Sequence, residues 1–437
     1  MQHSVSATFL LSSVIVLGFS LGRAHAQNDT VYTQKYLTRS TKFAWTTIGG
    51  DVLMLQGGTA TALQNGQTRV SSFGNAFSPR VTIGGIHFWG HADFYVSIPV
   101  FTFQPGVSGF RDFLYQHGTE TGLRVYPLRV AEGKVRPFVG ISMRPIIYRH
   151  QSENIQYTND APRFEKIVVP FQAGVTYTTS QYLFSLSMYY TDFNSFDYHL
   201  TPGLTGVNEI NPLSLNLSML YHFDSDRKSR DPEGVRKINR QYELLRKEKK
   251  LSNWYWGVGL SSAFQMSKSE FIENNHAYLS NDLFGGLMPD ITFGRFFNRP
   301  DMNVGVSYRS LRSTLKGFDT EINLQRRSYM IETYKNLFNW HGFLPFAGIT
   351  ASIEDLTANV NGMRHRDMRP SAGLIFGWDI RVTKTGSSTL RTNFRWNPNL
   401  HLKVDNERMM FDHLEFNFIQ YVHYIGRNKL YKKHQLN

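Results

Sequence analysis

The sequence predicts an all-β protein: a transmembrane, antiparallel up-and-down β-barrel of about 16 strands, arranged as two homologous repeats of eight. Three observations predict this fold. Many segments alternate between apolar and polar side chains, the connections between them alternate in length, and motifs of the first half recur in the second. Period-two alternation places one face of a strand toward lipid and the other toward a polar interior.

The clearest strand runs from Leu213 to Phe223. One of its faces is apolar throughout and consists of Leu213, Leu215, Leu217, Met219, Tyr221 and Phe223. Sixteen segments of this kind are predicted, at 43–57, 72–89, 92–104, 118–130, 135–149, 164–179, 182–192, 213–224, 253–266, 283–297, 302–315, 326–338, 344–355, 369–382, 389–397 and 414–425. An aromatic content of 14% agrees with the aromatic girdles of a membrane barrel.

The connections follow a rule of alternating length. Even-numbered strands are followed by short turns such as Gly90-His91 and Ser180-Gln181, whereas odd-numbered strands are followed by long loops such as 193–212 and 398–413. Membrane barrels have short turns on the periplasmic side and longer loops outside. The rule therefore favours a membrane barrel over a soluble β-sandwich.

An internal repeat supports the count of eight plus eight. Ser78–Gly84 recurs as Met288–Gly294, and Pro137–Ile141 recurs as Pro345–Ile349. In the terminal strands of the two copies, the equivalent residues are Leu213, Asn216 and His222 in the first and Leu414, Asn417 and His423 in the second. Two architectures fit this repeat: a single 16-strand barrel, narrowly favoured, and two tandem 8-strand barrels filled by side chains.

The segments outside the strands predict export. Residues 1–26 have the apolar core and the Ala24-His25-Ala26 site of a signal peptide, which predicts cleavage near Ala26. We expect residues 27–42 to form a periplasmic lead before the first repeat at 43–224. A basic and helical periplasmic linker is predicted at 225–252, the second repeat at 253–425 and a periplasmic tail at 426–437.

Charged residues on predicted inward faces are the candidate site residues. They are Glu120, Arg124, Arg144, Asp290, Arg309, Glu332, Glu354, Asp379, Arg381, Arg391 and Arg395. In a wide barrel they would line a water-filled pore, and in narrow barrels they would pair within a packed polar core. His222 and His423 are predicted to occupy the same inward position in both copies, which suggests a pH-sensitive group or an interface residue.

Enzymatic, cofactor and nucleic-acid functions receive no support from the sequence. Cysteine is absent, and no G-x-S-x-G, H-E-x-x-H or phosphate-binding glycine loop occurs. The net charge of +13 is spread along the chain, apart from a concentration at 227–250, so we expect no nucleic-acid partner. We also expect no cofactor, no metal site and no enzymatic activity.

The chain resembles the bacterial outer-membrane β-barrel proteins, in particular the small eight-stranded type in duplicated form. The aromatic-ended strands Leu220–Phe223 and Tyr421–Tyr424 carry this resemblance, together with the alternation and the loop rule. It implies an outer-membrane location, contact with lipid and lipopolysaccharide, and insertion by the barrel-assembly machinery. The linker at 225–252 suggests periplasmic or peptidoglycan contact. The predicted function is a passive pore for small solutes, the alternative is a structural or adhesive protein with partner-binding loops, and a membrane-embedded hydrolase ranks last.

Overall fold

The computed structural model describes residues 45–107, 109–152, 161–223, 232–279, 283–339, 342–381 and 385–433. The predicted signal peptide at 1–26 and the predicted lead at 27–42 lie outside these residues. Parts of the linker and of the tail do as well.

The described part of the first half forms fourteen strands. They are β1 (Trp45–Leu55), β2 (Gly58–Gln64), β3 (Gln67–Phe73), β4 (Ala76–His87), β5 (Ala92–Pro99), β6 (Phe110–His117), β7 (Glu120–Val125), β8 (Val135–Ser152), β9 (Phe164–Val168), β10 (Phe171–Thr178), β11 (Tyr182–Tyr190), β12 (Ser195–Thr201), β13 (Leu204–Ile210) and β14 (Leu213–Phe223).

Among the described residues of the second half there are ten strands and three α-helices. They are α1 (Pro232–Lys247), β15 (Asn253–Gln265), α2 (Glu270–Asn275), β16 (Leu283–Phe297), β17 (Met302–Gly317), β18 (Thr320–Asn336), β19 (Phe343–Val360), β20 (Met363–Arg381), β21 (Ser388–Trp396), β22 (His401–Val404), β23 (Glu407–Met410), β24 (His413–Tyr424) and α3 (Arg427–Lys433). None of the helices among the described residues is long and apolar enough to cross a membrane.

Each half closes on itself as an antiparallel ring of eight strands. In the first ring, β1 pairs with β4 on one side and with β14 on the other, and β8 pairs with both β7 and β10. In the second ring, β15 pairs with β16 and with β24. Because both edges of the terminal strands are already hydrogen-bonded within their own ring, this pairing corrects the narrow preference for a single 16-strand barrel.

All sixteen predicted segments contain a barrel strand. The segment 164–179 holds two strands, β9 and β10, which are separated by Val169 and Pro170. Proline has no N–H to donate to a ladder, so a break at this position is expected.

Several predicted loops are themselves ordered. The loops after β1 and β11 form two hairpins that join into a four-stranded sheet in the order β12-β13-β2-β3. The loop after β21 contains the hairpin of β22 and β23. The predicted loops at 316–325 and 356–368 are instead tight turns at Phe318-Asp319 and Asn361-Gly362, because β17 to β20 continue as paired strands up to these turns.

The two rings lie side by side. Phe416 and Phe418 of the second ring are buried with Val96 of the first, although Phe416 occupies a lipid-facing position of its strand. Ring contacts join Phe94 to Trp378, with centroids 5.7 Å apart, and Phe88 to Phe343, at 5.5 Å. The structure therefore has two adjacent barrels that share an apolar lateral contact.

Candidate functional site: the barrel interiors

The strand pleat places the charged side chains inside the barrels. Along β1, the inward positions are Trp45, Thr47, Gly49, Asp51, Leu53 and Leu55. The sequence of this face passes from apolar at the periplasmic end to polar in the middle and back to apolar at the extracellular end. Each barrel consequently has a polar core between two apolar layers.

In the first barrel, an alternating chain of ion pairs forms the polar core. Asp51 accepts a hydrogen bond from Nε of Arg80 at 2.5 Å, and Nη1 of Arg80 reaches Glu120 at 2.7 Å. Arg144 reaches the same carboxylate at 3.1 Å, and the hydroxyl of Tyr95 donates to it at 2.6 Å. All five side chains are buried, and the two arginines and two carboxylates neutralise one another.

A separate pair lies nearer the periplasmic end of this barrel. Arg124 contacts Asp93 at 3.3 Å and donates to the amide oxygen of Gln172 at 3.2 Å. Its guanidinium also lies 4.3 Å from the ring centroid of Tyr95. The aromatic face supplies a second favourable environment for the buried cation.

In the second barrel, a longer chain of seven groups alternates in charge. Its members, in order of contact, are Asp290, Arg395, Glu332, Arg309, Glu415, Arg326 and Glu354. The distances between neighbouring charged atoms run from 2.5 Å for Arg395 and Asp290 to 3.3 Å for Arg309 and Glu332. Hydroxyls of Ser328 and Ser352 donate to Glu354 and complete its hydrogen bonding.

A bidentate pair stands apart from this chain. Arg391 donates from Nε and Nη2 to the two carboxylate oxygens of Asp379, at 2.7 and 2.9 Å. The rings of Tyr255 and Tyr334 flank the guanidinium, at 5.6 and 4.9 Å from their centroids. A planar guanidinium matches a carboxylate in this fork geometry and stacks well on aromatic faces.

Apolar layers close the first barrel at both ends. The periplasmic layer contains Trp45, Ile86, Tyr126, Phe138, Leu183 and Leu220. The extracellular layer includes Leu53, Phe73, Tyr148, Phe196 and Tyr198, and it is roofed by the sheet of β12, β13, β2 and β3.

The second barrel is closed in the same manner by different elements. Its extracellular layer receives Phe271 from α2 and Leu402 and Met409 from the hairpin of β22 and β23. Its periplasmic layer combines Tyr242 and Leu245 of α1 with Tyr431 of α3. Gln241 of α1 donates to the carbonyl of Tyr431 at 2.7 Å, so both helices are fixed beneath this barrel.

Ten of the eleven predicted charged residues are buried inside the barrels. Glu120, Arg124 and Arg144 lie in the first barrel, and Asp290, Arg309, Glu332, Glu354, Asp379, Arg391 and Arg395 lie in the second. Arg381, which was also predicted to face the barrel interior, is not buried there. It lies at the periplasmic end of β20, where its guanidinium stacks on Tyr242 of α1, 4.0 Å from the ring centroid.

Sequence reasoning missed five charged members of these cores: Asp51, Arg80, Asp93, Arg326 and Glu415. The alternation of inward and outward positions along each strand indicates that these residues face inward. Asp51 follows two glycines, which blur the alternation of β1, and Arg326 falls at the very start of its predicted segment. Carrying the alternation across Gly49 and Gly50 would have found Asp51, and extending it at the start of the segment 326–338 would have found Arg326.

The two equivalent histidines do not share an inward position. His222 keeps the parity of Ser218 and Leu220, and its Nε2–H donates to the carbonyl of Thr179, 3.2 Å away. In β24, a register shift at Phe418 reverses the alternation, so Val422 and Tyr424 face inward. His423 therefore faces outward, beside Trp256 and Tyr421, since one inserted residue moves every later side chain to the other face.

Comparison with known proteins gives structural similarity only. No protein-family profile and no curated protein matches the sequence. Among solved structures, Neisserial surface protein A is 16% identical with a TM-score of 0.29, covering 39% of this chain and 97% of its own. Ail of Yersinia pestis is 11% identical with a TM-score of 0.26, covering 40% and 96%. An outer membrane channel from Pseudomonas putida F1 is 9% identical with a TM-score of 0.23, covering 88% and 97%.

Closed antiparallel rings with an apolar exterior satisfy every backbone group within lipid. The chain has the fold of an outer-membrane β-barrel protein, with two closed rings of eight strands each. Within the described part of the chain, no group of three or more histidine and carboxylate side chains is placed to hold a metal ion. The ion pairs of the barrel interiors neutralise buried charge, and apolar layers close the ends of both barrels.

Proposed function

We propose that this protein is a structural or adhesive surface protein, in which two filled barrels anchor an ordered extracellular surface. One observation carries the proposal: each polar core is ion-paired, buried and covered by apolar layers at both ends. A passive pore needs a continuous water-filled path past its charged residues. The side chains that would line such a path, including Arg309 and Glu120, have 0% exposure.

The extracellular caps support the display part of the proposal. The amide of Thr61 in β2 donates to the side chain of Asn208 in β13 at 2.8 Å, which ties the first and last extracellular hairpins of the first barrel together. In the second barrel, Asn274 and Asn275 of α2 donate to Glu407 of β23 at 2.9 and 2.6 Å. Ordered loops reduce the entropy lost when a partner binds.

Strand β3 offers a place for a partner to bind. Among the described residues it pairs only with β2, which makes it the edge of the cap sheet. Val70 on this strand is 64% exposed. An exposed edge strand can accept a further strand from a protein partner, with main-chain hydrogen bonds providing much of the affinity.

Conductance in a planar bilayer tests the filled-barrel part. We expect the purified full chain to insert without a stable open current. A large and steady single-channel conductance would overturn the proposal in favour of a passive pore.

Adhesion of whole cells tests the display part. Cells of a laboratory Gram-negative strain that express the full chain should gain cell–cell aggregation or adhesion to protein-coated surfaces. Val70→Lys should reduce this gain, because a lysine on an edge strand opposes strand addition. Val207→Lys is the matched control, since Val207 is similarly exposed but lies on the central strand β13. No gain with the full chain, or equal loss in both variants, would contradict the proposal.

A further inference from the structure

On the outer face of the long strands β17 to β20, the exposed side chains change from apolar to polar along the strands. Tyr308, Tyr329 and Ile353 are exposed neighbours in register on three adjacent strands and end the apolar band that faces lipid. Aromatic side chains at this position mark the membrane–water interface. Beyond them, on the same face and toward the extracellular turns, the outward positions are mostly polar or charged, with the exposed Met368 of β20 as an exception.

Three arginines lie on the extracellular side of this aromatic row: Arg312 on β17, Arg327 on β18 and Arg366 on β20. Ser310 separates Tyr308 from Arg312 on the outward face, and Arg327 is the next outward residue after Tyr329. The side chains of Arg327 and Arg366 are 40% and 49% exposed, so their guanidinium groups reach the solvent or the lipid headgroups.

Neighbouring side chains hold these arginines in place. Asp355 on β19 accepts two hydrogen bonds from Arg366, at 2.7 and 3.0 Å, and lies 3.9 Å from Arg327. The amide oxygen of Gln325 accepts from Nε of Arg312 at 3.0 Å and from Nε of Arg327 at 3.3 Å, in the amide orientation that satisfies both of its ends. Fixing Nε leaves terminal N–H groups of Arg312 and Arg327 to bind a further acceptor.

The cluster retains positive charge after its internal pairing. Three arginines face one carboxylate, Asp355, which gives a formal excess of two positive charges on the outer face. Arginine binds phosphate in a bidentate manner and loses less rotamer entropy when its fork is already oriented. Basic side chains at headgroup height are attracted by anionic lipid.

We propose that Arg312, Arg327 and Arg366 form a binding site for the phosphate groups of lipid A in the outer leaflet. Gln325 and Asp355 orient the three guanidinium groups, and the row of Tyr308 and Tyr329 places the acyl chains below them. This site lies on the outer wall of the second barrel, so it is independent of whether the barrels conduct and of what the caps bind.

Lipid binding by the full chain in detergent micelles tests this site. Native mass spectrometry would follow titration with phosphorylated lipid A and, separately, with dephosphorylated lipid A. We expect the wild-type chain to prefer the phosphorylated form, and Arg312→Gln/Arg327→Gln/Arg366→Gln to bind it roughly tenfold or more weakly, since each lost contact is a charge-assisted hydrogen bond. Inorganic phosphate at the same concentration should not compete, because it has no acyl chains for the aromatic row.

A matched triple variant controls for net charge. Lys134, Arg299 and Lys335 are exposed basic residues at the periplasmic side, and their replacement by Gln removes the same charge. This control should bind phosphorylated lipid A as the wild type does. A second version of Arg312→Gln/Arg327→Gln/Arg366→Gln also carries Asp355→Asn, which avoids an unpaired carboxylate. Weaker binding by this version is then due to the lost arginines and not to a disturbed sheet.

Three results would overturn the proposal. The first is equal binding of both lipid forms by the wild-type chain. The second is unchanged binding by the variants that lack Arg312, Arg327 and Arg366. The third is equally weakened binding by the control variant at Lys134, Arg299 and Lys335. Displacement of lipid A by inorganic phosphate would also contradict it, because the site would then be one for a free anion.

Discussion

At the residue scale, the two barrels differ in how their charges are paired, but both keep arginine and carboxylate in direct contact. Arg80 of the first repeat and Asp290 of the second occupy equivalent positions of their recurring motif and carry opposite charges. Each has its counter-ion on another strand: Arg80 pairs with Asp51 and Glu120, and Asp290 pairs with Arg395. At both positions, charged residues on other strands neutralise the side chain, although the two side chains carry opposite charges.

The buried fork of Arg391 and Asp379 allows a direct stability prediction. Arg391→Met leaves a buried carboxylate without its partner and should destabilise the chain by about 3–5 kcal/mol. Lys316→Met breaks the ion pair with Glu321 at 2.9 Å, in which both side chains are 49% exposed, and this should have a much smaller effect because solvent screens the pair. Urea unfolding in detergent without lipid A would measure both values.

A double variant completes this test. Arg391→Met/Asp379→Leu removes both charges together and should recover most of the lost free energy of unfolding, because no unpaired charge remains. Equal destabilisation by Arg391→Met and Lys316→Met would contradict a core that excludes solvent from its ion pairs.

At the element scale, the turn between β19 and β20 depends on backbone conformation. Asn361 and Gly362 both adopt positive φ, 48° and 89°, as a two-residue hairpin turn requires. Gly362→Val should destabilise the hairpin by roughly 1–2 kcal/mol, since a β-branched residue is strained in this region. Gly106→Val is the control: neither glycine has an atom within 4 Å of an added Cβ, and Gly106 lacks the positive φ. Thermal unfolding of the two variants should separate strain from crowding.

The junction between the two extracellular caps should depend on pH. Tyr278 contacts His276 of its own cap, with ring centroids 5.9 Å apart, and His199 of the other cap, at 6.3 Å. Burial lowers the pKa of His199 and of His276, so the folded caps favour the neutral rings. Their contribution is complete above the unfolded histidine pKa of about 6.5 and declines as the pH falls below it.

Limited proteolysis of the caps between pH 7.5 and pH 5 would measure this effect. Cleavage in the caps should increase on acidification in the wild-type chain. In His199→Gln/His276→Gln the increase should be much smaller. A pH profile that is identical in both chains would assign the change to other groups.

Sequence patterns predicted the barrel strands well, but they missed local irregularities such as bulges and the hairpins within loops. The long alternation of Leu213–Phe223 predicted β14 with nearly correct bounds, because a barrel strand needs one lipid-facing side along its whole length. The bulge at Phe418 was missed, since a single extra residue leaves no mark in a strand that contains apolar residues on both faces. The hairpin of β2 and β3 was also missed, although Asn65-Gly66 at its turn is a strong hairpin signal.

At the scale of the whole molecule, alternation and the internal repeat predicted two eight-strand units but not how they close. Strands β1 and β14 have the same apolar outer face whether they pair with each other or with strands of the other repeat. Closure is decided by curvature and by the fit of interior side chains such as the chain from Asp290 to Glu354, which a linear pattern does not encode. Homology of the two repeats and cleavage near Ala26 remain predictions.

Thiol cross-linking tests the central claim of two separately closed barrels most directly, because the natural chain has no cysteine. Val52 of β1 lies opposite Leu217 of β14, and both are exposed on the lipid face. Val52→Cys/Leu217→Cys should cross-link in the folded protein, whereas Val52→Cys/Tyr421→Cys, which joins β1 to β24, should not. Efficient cross-linking of the second pair without the first would contradict two closed barrels and indicate a single barrel of 16 strands.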